Sequence, residues 1–324
     1  MTRNSRDWRW LGAAAALAAR ARPLSHPNPA VGAIIVKDGR VVGRGWTAAG
    51  GRPHAEAIAL QQAGAAAQGA ALYVTLEPCA HHSARGPDCA GLVASSGIAE
   101  AVIGIEDPDP RTAGSGIAKL EAAGISVRLA NEPACHESLA GYLTRAAHGR
   151  PHVTLKLATS LDGRIALADG TSRWITGEAA RAHAHMERVR TDAILVGGGT
   201  LREDKPALDV RLPGLEYRSP RRLVLTNSSA PPGWQALSSP GGIRDLPDVQ
   251  YLLVEGGAQT AAAFVGADLV DRLLIYRAPI LLGSGKPALG DVGLDTLADA
   301  HGRWHRCGTL ALGADTLEIL SRIR

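Results

Sequence analysis

One phenylalanine, four cysteines and 4% aromatic residues in 324 positions are the scarcities that limit this chain first. Four cysteines are too few for a disulfide scaffold, so a reducing, cytoplasmic setting is expected, and the thiols are left to a metal or to the core. So few aromatics argue against the basic, aromatic-lined groove that holds single-stranded nucleic acid. No run of five or six like charges occurs, and the formal charge of +4 is modest for the length. Such a balance accommodates phosphate-bearing ligands without indicating a nucleic-acid surface. No apolar run reaches 18 residues, so no membrane-spanning helix is expected.

With 45% hydrophobic and 20% charged residues the chain reads as globular, and its length exceeds one ordinary core. The start, "MTRNSRDWRWLGAAAALAARARP", superficially resembles a signal peptide. An Ala-rich helix from about Asp7 to just before Pro23 accounts for the same letters. Beyond it, strand-like and helical stretches alternate, an α/β pattern that begins with a hairpin turning at Asp38-Gly39. A helix is expected from Pro53 to Ala67, another from Glu132 to about Ala147, and a strand-like run from Arg272 to Gly283. The pattern restarts around Gly149, so the expected domains are 1–149 and 150–324. Residues 227–248, rich in Pro, Gly and Ser, are expected to form surface loop.

The loop "TLEPCAHHSARGPDC" (75–89) concentrates two cysteines and two histidines. It could form a closed cage with His81 and His82, or contribute to an open catalytic site. Upstream, "GRPHAEAIAL" places His54 and Glu56 at a helix start after Pro53, where residues two apart can still address one point. Asp88 is a plausible N-cap, which puts Cys89 in a first turn that favours a thiolate. One His and two Cys leave the fourth corner of a zinc site open to water, whose pKa zinc lowers to about 7. Glu56, close but not coordinated, is suited to carry protons between that water and a substrate nitrogen. A closed cage would leave the His54–Glu56 pair unexplained.

His-x-Glu followed by Pro-Cys and a second Cys is the signature of zinc-dependent nucleobase deaminases. The nine residues between Cys79 and Cys89 exceed the usual two. Together with "HPNPAVGAIIVKDGRVVGRGW", "PHAEAIAL" and "EDPDP", the long loop resembles the N-terminal domain of the bifunctional deaminase-reductases of riboflavin biosynthesis. The family's loop is one residue shorter, with Ser at the place of Ala80 and Gly at that of Ser83. "LKLATSLDGRIALADGTSRWIT", "LVGGGTLREDKPALDVR" and "VEGGAQTAAAFV" resemble the family's reductase domain. Apart from the resemblance, Gly197–Thr200 and Gly256-Gly257 close buried strands, where backbone N–H groups can receive phosphates and where a plain tight turn is the alternative.

The resemblance implies a cytidine-deaminase-like three-layer α/β/α domain followed by a dihydrofolate-reductase-like α/β domain, with zinc and NADPH as cofactors. It implies zinc ligands His54, Cys79 and Cys89, a catalytic Glu56, and a deaminase pocket containing Asn28, His81 and Arg85. The matching cofactor contacts are Ala158, Trp174, Thr200, Asp204 and, less regularly, Asn227, together with Gly257, Ala258, Gln259, Thr260, Ala261, Ala262 and Ala263. Substrate contacts map onto Ser172, Arg188, Leu208, Arg211 and Glu255. Arg188 and Arg211 suit phosphate as bidentate partners, and Lys156 and Glu255 are the charged candidates beside the reduced carbon.

The implied reactions are hydrolytic deamination of 2,5-diamino-6-(5-phosphoribosylamino)pyrimidin-4(3H)-one and NADPH-dependent reduction of its ribosyl to a ribityl chain. The partner is then a small molecule, with no nucleic acid and no membrane, and a homo-oligomer is left open. Two other readings compete: a tRNA or single-stranded DNA deaminase with an accessory domain, and a zinc-stabilised nucleotide-binding module.

Overall fold

Asp38 and Gly39 take φ of 50° and 74°, the conformation that Asp-Gly favours in two-residue hairpins. They join β1 (Gly32–Lys37) to β2 (Arg40–Trp46). The structure is a computed structural model and describes residues 5–81 and 86–324; the expected positions Arg85 and His82 lie outside the described residues. The chain divides into two units, Met1–His148 and Gly149–Arg324.

In the first unit β3 (Ala71–Val74) pairs antiparallel with β1, and β4 (Glu100–Ile103) and β5 (Ser126–Leu129) follow in parallel. The sheet order is β2-β1-β3-β4-β5. Around it lie α1 (Ser5–Ala21), α2 (Ala55–Ala63), α3 (Cys89–Ala94) and α4 (Ser115–Ala122), then α5 (Pro133–Ser138) and α6 (Ala140–His148). The last two replace the single helix expected from Glu132, because the backbone leaves helical φ/ψ at Leu139, with φ of −102° and ψ of 7°. The expected Pro53–Ala67 helix is likewise shorter, since the chain turns at Gly64 with φ of 52°.

Helices meet this sheet closely where side chains are missing. A Cβ on Gly45 would lie 2.3 Å from the Ala55 carbonyl oxygen, and one on Gly43 would lie 2.2 Å from that of Ala59, so α2 rests on bare β2 backbone. Gly45 pairs with Ala33, next to Gly32, whose Cβ would instead meet Ala14 of α1. Neighbouring strand residues point to opposite faces, so α1 and α2 cover the two sides of the sheet. Leu11, Ile35, Leu72, Ile103, Leu120 and Leu139 are fully buried in the resulting core.

The second unit contains β6 (His152–Thr159), β7 (Arg164–Ala166), α7 (Glu178–Val189), β8 (Ala193–Gly197), α8 (Gly198–Asp204), β9 (Arg221–Leu225) and β10 (Trp234–Leu237). It continues with β11 (Tyr251–Val254), α9 (Ala258–Gly266), β12 (Arg272–Arg277), β13 (Lys286–Pro287), β14 (Trp304–Leu312) and β15 (Asp315–Arg322). Eight strands form one sheet in the order β10-β9-β8-β11-β6-β12-β15-β14, parallel up to β12 and antiparallel beyond. β7 and β13 form a separate pair. Residues 227–248 are not simply surface loop: β10 pairs in parallel with β9, and Ile243 and Leu246 are buried in the core. Polar composition hid two apolar anchors. β12 stops at Arg277 rather than running to Gly283, because Pro279 has no N–H for a ladder.

Arg150 opens this unit with a buried bidentate pair to Asp271, at 2.7 and 2.9 Å, and Asp271 also accepts from the Val153 N–H. Arg324 reaches the same carboxylate at 2.6 Å, so both ends of the unit share one anchor.

The bare contact between β2 and α2 makes a direct prediction. Gly45→Ala should destabilise the first unit by about 1–3 kcal/mol in urea unfolding, since helix or strand must shift. Gly12→Ala, with nothing within 4 Å of the added Cβ, should be neutral or stabilising by up to about 1 kcal/mol. Equal effects of the two changes would contradict the close-approach account.

Candidate active sites

His54 is the N-cap residue of α2 and Glu56 lies in that helix's first turn. Cys79 follows the end of β3, and Cys89 is the first residue of α3, whose N-cap Asp88 accepts from the Gly91 N–H at 2.7 Å. Lys119 on α4 holds the same Asp88 carboxylate at 2.8 Å. These three elements bring one ligand atom each from His54, Cys79 and Cys89 within 4.8 Å of one another. His54 Nδ1 faces both sulfurs, at 3.2 Å from Cys89 and 3.6 Å from Cys79. Its other nitrogen lies 2.8 Å from the Asn28 amide, which also donates to the Gly51 carbonyl. Asn28 thereby fixes the imidazole plane.

Electrostatics in the cluster suit a divalent cation. The hydrogen bond from the Cys89 thiol lowers the Cys79 pKa to about 4, against burial, and the same bond raises Cys89. A bound cation would draw both sulfurs to the thiolate form. Glu56 is 3% exposed, its Oε2 has no hydrogen-bond partner, and burial pushes its carboxyl above the usual carboxylate range while His54 opposes. One nitrogen and two sulfurs are a donor set for zinc with a vacant fourth position, and the orphaned carboxylate oxygen beside them fits a proton carrier rather than a fourth ligand. His81 Nδ1 lies 3.2 Å from Thr112 Oγ1, which places it in the wall beside Cys79.

In the second unit a cleft of about 1210 Å³ opens across the strand ends. Lys156 and Glu255 meet there at 3.5 Å, and Arg188 grips Glu255 through Nε at 2.8 Å and Nη2 at 3.0 Å. Burial disfavours the Glu255 charge, but Lys156 and Arg188 outweigh it and take its pKa down to about 2. Arg188 also donates Nη1 to the Asp209 carbonyl and lines the cleft, with one N–H on each terminal nitrogen not used in these bonds. Arg211, its side chain 57% exposed and only loosely paired with Asp209 at 3.6 Å, keeps the capacity to bind phosphate.

Ala158, Ser172, Trp174, Thr200, Asp204 and Leu208 line the same cleft, as does the Gly257–Thr260 stretch with Ala258 and Gln259. Gly257 faces Thr200 Oγ1 in the cleft lining at the start of nine-residue α9, where free N–H groups receive phosphate. The cleft therefore fits a dinucleotide. Ala261, Ala262 and Ala263 do not line it: Ala261 and Ala262 are buried and Ala263 is exposed elsewhere on α9. A helix turns about 100° per residue, so seven consecutive positions cannot share one wall. Asn227 is exposed outside the cleft lining. Lys286, which lines the cleft from β13, carried no motif and was not anticipated. Nor was Glu77, although the buried Glu of "EPC" stood in view.

Residues 4–105 match the model of the cytidine and deoxycytidylate deaminase zinc-binding region, and residues 151–239 and 244–316 match that of the RibD C-terminal domain. A zinc-type deaminase unit joined to a dihydrofolate-reductase-like, NADPH-using unit defines a bifunctional deaminase-reductase, with both folds as expected. The chain is 40% identical over 310 residues to riboflavin biosynthesis protein RibD of Mycobacterium tuberculosis, covering 90% of this chain and 91% of that one. It is 37% identical over 344 residues to the Escherichia coli protein of that name, covering 91% and 94%. Acinetobacter baumannii RibD superposes with a TM-score of 0.85 at 33% identity, covering 98% and 99%. A Thermotoga maritima diaminohydroxyphosphoribosylaminopyrimidine deaminase/5-amino-6-(5-phosphoribosylamino)uracil reductase also gives 0.85, at 30% identity and 98% of each chain. The chain belongs to the RibD family of riboflavin biosynthesis proteins. Neither the nucleic-acid deaminase nor the non-enzymatic reading is favoured by these matches.

Glu255 connects this geometry to acid stability. Its pKa is depressed on folding, so its stabilisation is present above the ordinary value of 4.5 and is lost as pH falls toward about 2. The stabilisation amounts to roughly 3 kcal/mol. Hydrogen exchange of the second sheet should lose protection through that window in the wild type, and Glu255→Gln should show lower protection with a flatter pH dependence. Parallel profiles would count against the Lys156–Glu255–Arg188 network.

Proposed function

We propose that the two half-reactions run on separate sites of this one chain, with the residue roles that follow. The observation that carries the reading is the buried Glu56 with a free oxygen beside the His54–Cys79–Cys89 cluster. It shares a chain with a cleft whose floor pairs Lys156 with Glu255. The substrate is the diaminopyrimidinone ribosyl phosphate.

In the first unit His54, Cys79 and Cys89 would hold zinc, which would supply Lewis acidity toward the attacking water. Asn28 keeps the His54 ring in plane and, with His81, borders the pyrimidine. Glu56 accepts a proton from the attacking water and returns it to the amino nitrogen leaving from C2, so that ammonia departs. Burial of Glu56 serves this exchange, since a carboxyl that holds its proton more tightly gives a better balance between taking and releasing it near neutral pH.

In the second unit the cleft would hold NADPH, which would supply the hydride equivalent for reducing the ribosyl to the ribityl chain at C1′. Thr200, Asp204 and the start of α9 hold the dinucleotide, and Ser172, Leu208 and Arg211 hold the substrate with its phosphate. Lys156 polarises the group at C1′ and supplies the proton, and Glu255 holds Lys156 in place. Arg188 grips Glu255 and, from the cleft wall, faces the substrate. Most of the acceleration comes from such positioning and fixed charge.

Among the described residues no helix is long and apolar enough to cross a membrane. We place the chain in the cytoplasm, where its phosphorylated substrate and NADPH are found, acting on a small molecule without nucleic acid; association into a homo-oligomer is compatible with both sites. Glu56→Gln tests the roles directly. Zinc content should match the wild type, ammonia release should fall by about 10²-fold or more, and NADPH oxidation with pre-deaminated substrate should persist. Wild-type ammonia release from this variant would remove Glu56 from the mechanism.

A further inference from the structure

Glu77 is 2% exposed and accepts four hydrogen bonds, all from main-chain N–H groups. Its Oε2 takes those of Asp107 and Gly114 at 3.2 and 3.1 Å, and its Oε1 those of Gly116 and Ile117 at 2.8 and 3.0 Å. One carboxylate therefore supports both ends of the Asp107–Ile117 segment. The segment also presses on the residues around Cys79. A Cβ on Gly116 would lie 2.1 Å from the Pro78 carbonyl oxygen, and Thr112 meets His81 at 3.2 Å. Positions 77, 78 and 81 thus bracket Cys79 and all touch the same segment.

We propose that Glu77 is a positioning residue of the deaminase: by suspending Asp107–Ile117 beside the metal turn, it fixes the pocket wall in which His81 and Thr112 stand. The proposal rests on the reading of His54, Cys79 and Cys89 as the deaminase centre. The first attachment sets the distance of the wall from Cys79, and the second, through Thr112, sets the His81 ring. At the far end, Asp107 accepts from the Tyr142 hydroxyl at 2.6 Å, which anchors the segment to α6. A carboxylate is required because both oxygens face donors. Glutamine would turn an NH2 group toward two N–H groups, so that one end of the segment must move away. A wall that moves away from the pyrimidine loses contacts made equally to substrate and transition state, which raises KM and leaves kcat nearly unchanged.

Glu77→Gln should be measured for zinc content, for kcat and KM of ammonia release, and for NADPH oxidation with pre-deaminated substrate on the same chain. The expected result is wild-type zinc and wild-type reduction, with KM for deamination raised roughly tenfold and kcat changed by less than about threefold. Unchanged kcat and KM in folded protein would overturn the proposal, even with a lower melting temperature, because Glu77 would then serve stability alone. Zinc loss from folded protein would overturn it too, making Glu77 a support of the metal turn. If Glu77→Gln does not fold, Thr112→Val decides: it removes the hydroxyl that meets His81, and KM should rise in the same sense, whereas an unchanged KM would overturn the wall assignment. A zinc-loaded wild type that releases no ammonia would remove the underlying deaminase reading and this proposal with it, a result distinct from a variant that behaves like wild type.

Discussion

The contact of α2 with bare β2 backbone at Gly43 and Gly45 is the constraint on which the first site depends. Ala55 and Ala59 come within van der Waals reach of that strand only because no Cβ stands between them. That approach carries the start of α2, and with it His54 and Glu56, onto the side of the sheet where β3 delivers Cys79. A helix held farther out would leave His54 Nδ1 beyond the reach of both sulfurs. Packing between small residues thus becomes metal geometry.

Each site then handles buried charge in its own way. In the first, two thiols, an imidazole and a carboxyl are crowded together, and without a cation the cluster is poorly balanced: one sulfur is driven toward ionisation, the other and Glu56 away from it. In the second, the balance is supplied by protein, since Lys156 and Arg188 together keep Glu255 ionised. Glu77 shows a third way, in which a buried carboxylate is satisfied by four backbone N–H groups and organises a loop.

How much could be read from the letters differed from place to place for physical reasons. The His54–Glu56 pair, Cys79, and Cys89 after its Asp88 cap are local signals: residue type and short spacing state the chemistry, and the structure brings these side chains together. Ile243 and β10 were obscured because burial is a property of long-range packing, and surrounding Pro, Gly and Ser pointed the other way. The contiguous match along α9 spans residues that face different ways, because helical rotation sends Ala261 and Ala262 into the core. The pairing of Arg188 with Glu255, 67 residues away in the chain, carried no local signal.

The sequence by itself determined the ligand types, the class of reaction and the two-part α/β plan, since these follow from residue chemistry and local periodicity. Only the tertiary structure decided which charges are spent on each other, which oxygen of Glu56 is left free, and which segment Glu77 supports. Those are outcomes of distance and burial between residues far apart in the chain, and distance is settled only when the sheets close and the helices dock.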